Sequence, residues 1–354
     1  MNDITTTASE QAKALVGRRY RLTDPYEVGR EKIREFARAL RDGHPAHRYE
    51  DAAAELGFDG LIAPLTFSSI VLMLMQRRMF ESVLSGYDLG QVLQTEQSIR
   101  VHRPIVAGDE VRCESYIESF RQFGDKDFMV TRNVLSNQHK EVLQTAHTTA
   151  VAQTGVELAA DLRAAVDGVI MTGQSATDRA DAAAAREADD DGGLVEVFDE
   201  VAAAESADEP RTPHTVPAFE DLSVGMELAP RTVPLSRGDL VNYAGVSGDS
   251  NPIHFSDEVA RSAGLPDVVS HGLLTMGLGA GYLTSWLGDP AAVTRYGVRF
   301  AGFAPVAATK ASAIEFRGRV KELDPARRAA TIALTATCGD RKLFGRATAD
   351  VVLR

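Results

Sequence analysis

Two periodicities take turns along the chain. In EVGREKIREFARAL (residues 27–40) Val28, Ile33, Phe36, Ala37 and Leu40 recur at helical spacing, and APLTFSSIVLMLMQRRMF (63–80) is apolar enough to form a long buried helix. Alternating or apolar β-type runs follow: QVLQTEQSIRVHR, EVRCESYIESF, DFMVTRNVLSN and EVLQTAHTTAVAQ, broken by GD, GDKD and NQHK turns. The same order then returns. SRGDLVNYAGVSG opens a short helix and HGLLTMGLGAGYLTSWL supplies a long, small-residue-rich one. YGVRFAGF, TKASAIEFRGRVKEL, RAATIALTATCG and KLFGRATADVVL supply strands. One long apolar helix followed by antiparallel strands describes an α+β unit whose curved sheet wraps the helix, so the pattern predicts two such units packed as an intramolecular pseudo-dimer.

The register of the repeat is explicit. Asp42, Pro45, His47 and Gly57 recur 207 positions later as Asp249, Pro252, His254 and Gly264. Between the repeats lies an Ala-, Asp- and Glu-rich stretch. Residues 156–213 hold 15 Asp or Glu and 4 Arg, a balance of −11 out of −12 for the whole chain, so the two repeats together carry −1. With almost no aromatic residue but Phe198, that composition predicts a solvated tether with transient helix at 178–188. The boundaries that follow are a tail at 1–16, a first domain at 17–153, a linker at 154–217 and a second domain at 218–354.

Charge and composition exclude several classes. Neither repeat shows a basic, aromatic-interleaved pattern, which argues against a nucleic-acid partner. No run approaches the ~18 apolar residues of a membrane span, and MNDITTTASEQAK lacks the features of a secretion signal, so a cytoplasmic location is expected. Cys113 and Cys338 sit in strand-like stretches as small core residues.

Reactive residue types concentrate in VSGDSNPIHFSDEVARSAGLPDVVSHGLLTMG (246–277). A constrained loop there holds Asp249, Asn251 and His254, and His271-Gly272 opens the long helix, whose free amides can stabilise negative charge on an oxygen. A carboxylate, an imidazole and a helix start, without a nucleophile motif, point to proton transfer beside a carbonyl, with loss or addition of water as a natural fit. Asx turns and a satisfied core histidine would explain the same residues structurally. His254, His271 and Asp249 lack a compact ligand spacing, so no metal is expected, and the chemistry calls for no cofactor.

The segment GDSNPIH, followed by GLP and SHGLLTMG, resembles the signature of the MaoC-like (R)-specific enoyl hydratases, which have the hot dog fold. Residues 218–354, with LSRGDLVNYAGVSGDSNPIH, GYLTSWLGDPAAVTRY and FGRA, are similar to the catalytic HadB subunits of (3R)-hydroxyacyl-ACP dehydratases from mycolic-acid-producing actinobacteria. Residues 17–153, with DPYEVGREKIREFARA, AAAELGF, APLTF and RPIVAGDE, are similar to the HadA partner subunits. The resemblance implies a fused dehydratase of type II fatty-acid elongation, acting on (3R)-3-hydroxyacyl chains carried by acyl carrier protein and working beside other elongation-cycle enzymes. It assigns catalysis to Asp249 and His254, loop arrangement to Asn251, and thioester-oxygen binding to the His271-Gly272 helix start. The first repeat then carries a relic, Asp42 and His47, in which Asn251 is matched by His44 and His271-Gly272 by Pro64-Leu65. It is cast as the substrate-chain holder, with Met73, Met75 and Met79 either lining an acyl tunnel or packing a core. A coenzyme A-dependent hydratase and a non-catalytic acyl-binding protein are the alternatives.

Overall fold

Strands and helices form where the two periodicities place them. The computed structural model describes residues 7–87, 92–153, 160–171, 193–198 and 211–354. The first half contains β1 (Arg19–Leu22), β2 (Tyr26–Glu27), β3 (Val92–Val101), β4 (Glu110–Phe123), β5 (Lys126–Ser136) and β6 (Val142–Gln153). After β7 (Leu194–Glu196), the second half contains β8 (Glu227–Leu235), β9 (Val293–Phe300), β10 (Ser312–Asp324), β11 (Ala329–Cys338), β12 (Arg341–Lys342) and β13 (Phe344–Val352).

All of these strands join one antiparallel sheet in the order β7-β1-β4-β5-β6-β3-β9-β13-β11-β10-β8, with β12 beside β11 and β2 beside β4. The run β4-β5-β6-β3 is thus mirrored by β9-β13-β11-β10, as a duplicated unit meeting its copy requires. The seam is β3 against β9, in register from Glu96 opposite Arg299 to Arg100 opposite Arg295. Above it, helix Arg30–Ala39 meets helix Arg237–Ser247, with Phe36 and Tyr243 rings 6.2 Å apart. Arg41 reaches across to both carboxylate oxygens of Asp239 at 2.8 Å.

Each half wraps a central helix. That of the second half, Gly272–Leu287, buries twelve of its sixteen residues, which explains its lack of an amphipathic stripe. Its glycines let neighbours approach closely: a Cβ at Gly277 would fall 2.4 Å from Leu40 Cδ2, and one at Gly279 would fall 2.8 Å from Tyr296 Oη. The helix of the first half is Ser69–Ser82, starting later than the apolar run suggested. Pro64 lacks an N–H, and the chain instead turns there, with Phe67 N–H donating to Pro64 O at 2.8 Å.

Three parts of the acidic segment depart from a solvated tether. Ala160–Asp167 is helical, and Leu194–Glu196 extends the sheet beside β1, with Leu194 buried. The short apolar run at Leu194 and Val195 supplies what the average composition conceals. Residues 211–216 pack on the end of the second central helix, where Arg211 donates to the fully buried Asp289 and Val216 N–H to Leu287 O. The helix expected at 178–188 lies outside the described residues. Among the described residues no helix is long and apolar enough to cross a membrane.

Candidate active site

The repeated loop folds twice into the same local structure. In the second half, Gly248 (φ 80°) ends helix Arg237–Ser247, and the Asp249 carboxylate then accepts from the Asn251 N–H at 3.4 Å. Asn251 Oδ1 accepts from Ile253 N–H at 3.2 Å and so caps the single turn Pro252–His254. In the first half Asp42 accepts from His44 N–H at 3.1 Å, and His44 Nδ1 replaces the asparagine oxygen in capping Pro45–His47. His254 Nδ1 lies 2.7 Å from Val269 O, and His47 Nδ1 lies 2.7 Å from Ile62 O. A carbonyl only accepts, so each ring donates through Nδ1, and in a neutral His254 ring Nε2 keeps its lone pair.

Asp249, His254 and His271, 22 residues apart in sequence at the extremes, come together with their polar atoms within 4.8 Å of one another. His254 and His271 stack, with centroids 3.7 Å apart and planes 26° from parallel, and Tyr243 lies 5.0 Å from His271. The sequence grouped these residues in one reactive segment, but no ligand spacing announced the stacking of the two rings. It has ligand-type atoms for a metal, but an ion must lie in the plane of each ring that binds it, at about 2.0–2.1 Å from nitrogen. Two nearly parallel stacked rings do not send their lone pairs to one such point, so the donor set does not fit a single ion.

Burial pushes His254 below the usual histidine range, although the Asp249 charge and the Val269 carbonyl oppose the shift. His271 is held further down, by burial and by its neighbour His254. Burial, with the Asp249 charge, raises the Tyr243 phenol. The cluster therefore holds two neutral imidazoles at neutral pH, beside the Asp249 side chain. His271 then serves as N-cap of the central helix without a side-chain hydrogen bond to it, leaving the amides at Gly272 uncapped by protein side chains.

The first-half pair is closed. Asp42 is 4% exposed and His47 fully buried, with His47 Nε2 3.4 Å from Asp42 Oδ2. Burial raises the Asp42 carboxyl, but the stronger combined pull of His47 and the His44 N–H leaves it below its ordinary value. The backbone of Gly281 caps this pair so tightly that a Cβ there would lie 3.3 Å from Asp42 Oδ2. His44 Nε2–H donates to Gly288 O at 3.0 Å, and Pro64-Leu65 precede the helix start by several residues.

A cavity of about 60 Å³ lies between the first central helix and β3–β6. Met73, Met75 and Met79 all line it, as do Leu273, directly after Gly272 on the second central helix, and Met276, about one turn further on. In the second half the corresponding space is filled by Tyr296, Phe316 and Phe344, all packed beneath Gly279. Sequence reading missed Tyr243 and the cavity's polar wall. Inward-facing polar positions within β3–β6 are the signal that marks the latter.

Two central helices under one continuous antiparallel sheet, with an Asp/His pair set before a free helix start, define a double hot dog protein of the dehydratase class. The chain belongs to the MaoC-like dehydratases. Residues 221–331 match the family described as MaoC like domain, and residues 14–146 match the FAS1-like, dehydratase domain region. A solved structure described as a MaoC-like dehydratase is 43% identical, with 97% of this chain and 100% of that chain covered at a TM-score of 0.83. A UPF0336 protein of Mycobacterium leprae is 39% identical over 141 residues, 40% of this chain and 89% of its own length. A Mycobacterium tuberculosis protein described as having a double hotdog fold shares the architecture at 13% identity, TM-score 0.59 and 96% coverage of each chain.

Proposed function

We propose that this chain interconverts (3R)-3-hydroxyacyl and trans-2-enoyl thioesters carried on acyl carrier protein, as a dehydratase of fatty-acid elongation for long or mycolic-type chains. Residues 218–354 carry the chemistry, residues 17–153 hold the acyl chain, and residues 154–217 join them. The observation that carries the reading is the meeting of Asp249, His254 and the Gly272 helix start beside Leu273 and Met276, which line the first-half cavity.

The geometry supports definite roles. With Nδ1–H committed to Val269 O and its pKa lowered by burial, His254 presents a neutral Nε2 as base. In dehydration Nε2 takes the α-proton, the released electron pair forms the α–β double bond, and the C–O bond at the β-carbon breaks. The departing oxygen takes that proton from the His254 imidazolium Nε2–H and leaves as water, so the site returns to its starting state. Asp249 accepts a hydrogen bond from that hydroxyl, and Asn251 fixes the loop that aims both groups. The Gly272 amide receives the thioester oxygen as it gains charge. Phe300 walls this point, its ring 3.4 Å from where a Gly272 Cβ would stand.

A basic strip leads from the same strand: Arg299 precedes Phe300, and it pairs in register with Arg346, while Arg295 lies opposite Arg100. All four are exposed, which suits an acidic carrier protein. The test is hydration of a trans-2-enoyl chain supplied on acyl carrier protein and on coenzyme A, followed by loss of the conjugated enoyl absorbance. Turnover with a higher kcat/KM on the carrier protein is expected. Higher kcat/KM on coenzyme A would assign a different carrier, and acyl binding without turnover would overturn the enzymatic reading.

A further inference from the structure

The chain-holding cavity has a wall that an all-methylene tail does not require. On β3, β6 and β5, Gln97, Thr148 and Thr131 stand in one cross-strand row, and Asn133 faces Ser115 in the next; all five line the cavity. Gln97 is 3% exposed. Its Oε1 accepts from Gln94 Nε2 at 2.6 Å and Thr148 Oγ1 at 2.7 Å, which fixes the amide. Its Nε2 has no hydrogen-bond partner among the described residues, nor does the buried Thr66 Oγ1 on the same cavity.

The fold itself does not demand this polarity. Under the second central helix the equivalent layer is filled by Tyr296, Phe316 and Phe344. A saturated tail in the first-half cavity would displace water and leave the Gln97 N–H groups unpaired, a desolvation that binding has to overcome. A tail oxygen at that level would satisfy them instead. Sites built to hydrogen-bond a polar group discriminate strongly against the analogue that lacks it.

We propose that the acyl tail selected by this tunnel bears an internal hydrogen-bond-accepting oxygen, a keto, hydroxyl or ether group, received by Gln97 Nε2. The inference rests on the thioester reading above and deepens it from chain holding to recognition of an oxygenated chain.

The experiment compares trans-2-dodecenoyl-CoA with isomers carrying one keto group at successive carbons along the tail. It reads kcat/KM for turnover and, separately, dissociation constants of the matching saturated acyl-CoAs by calorimetry. At least one keto isomer is expected to exceed the unsubstituted chain by roughly tenfold or more in both readouts. In Gln97→Met, of similar shape but without a donor, the ratio should fall to about one. Should that variant fail to fold, Thr148→Val, which removes one of the two donors that hold the Gln97 carbonyl, should shrink the ratio severalfold. No preference at any carbon in the unaltered protein, or a preference that survives in a folded Gln97→Met or Thr148→Val, overturns the proposal. Binding preference without turnover would support it while removing the dehydratase reading.

Discussion

Truncating His254 and His47 in parallel separates catalysis from architecture. Each ring anchors its loop through the same 2.7 Å bond to a carbonyl fifteen residues on, so His→Ala strands a buried acceptor in both halves. That loss costs about 1–3 kcal/mol. Against a typical total of about 5–15 kcal/mol, roughly 2 kcal/mol or more is left, which keeps more than about nine molecules in ten folded. The structural penalty is shared and cannot mimic a large kinetic one. The two rings differ at Nε2: that of His254 belongs to a cluster with the part-exposed Asp249, whereas that of His47 is sealed against Asp42 beneath Gly281. Removing a general acid or base costs ~10²–10⁴ in rate. We therefore expect His254→Ala and Asp249→Asn to lose at least ~10²-fold in single-turnover dehydration of a 3-hydroxyacyl thioester. His47→Ala and Asp42→Asn should stay within about threefold while melting at lower temperature. A loss from His47→Ala as large as that from His254→Ala, in protein shown by thermal melting to be folded, would mean that the first-half pair is a working site and that its closure has been misjudged.

Gly279→Ala should lower stability by about 1–3 kcal/mol in chemical denaturation, since the new Cβ meets Tyr296 Oη at 2.8 Å and the rings of Phe344 and Phe316 at 3.3 and 3.4 Å; a neutral effect would show that these aromatics are not close-packed. Because burial holds His254 and His271 below the ordinary 6.5, the unfolded chain takes up protons that the folded chain refuses. Stability should thus be full above about pH 6.5 and fall as pH drops below it, by up to ~1.4 kcal/mol per pH unit for each histidine, and a flat urea midpoint from about pH 7 to 5 would contradict this. Reversing Arg299 and Arg346 to Glu should raise KM for acyl chains on carrier protein far more than on coenzyme A, an effect that added salt on the unaltered protein should imitate. Proteolytic cleavage between residues 172 and 192 should leave both halves associated and active, because β3–β9 pairing and the Arg41–Asp239 contact join them independently; separation on gel filtration would assign the segment a structural role.

The sequence by itself determined the duplicated α+β plan, because helical and strand periodicities are local properties and their order repeats. The 207-residue offset also located both Asp/His loops, since Asx capping, the Pro252 and Pro45 turns and the left-handed Gly264 and Gly57 are written within a few residues of one another. Pro64 signalled the loss of one amide, though only the structure showed the helix starting at Ser69 instead. What joins distant segments was decided by tertiary packing. The clustering of His271 with Asp249 and His254, the burial that keeps both imidazoles neutral, and the closure of the first-half pair by Gly281 and Gly288 all depend on how the second central helix lies across both loops. The acidic segment shows the same limit at its ordered points, where Leu194 finds β1 and Arg211 finds Asp289. The asymmetry between a filled core in one half and a polar-walled cavity in the other is likewise a property of pairing: alternation says which residues face inward, but only register and the helix above them decide whether that interior is closed or hollow.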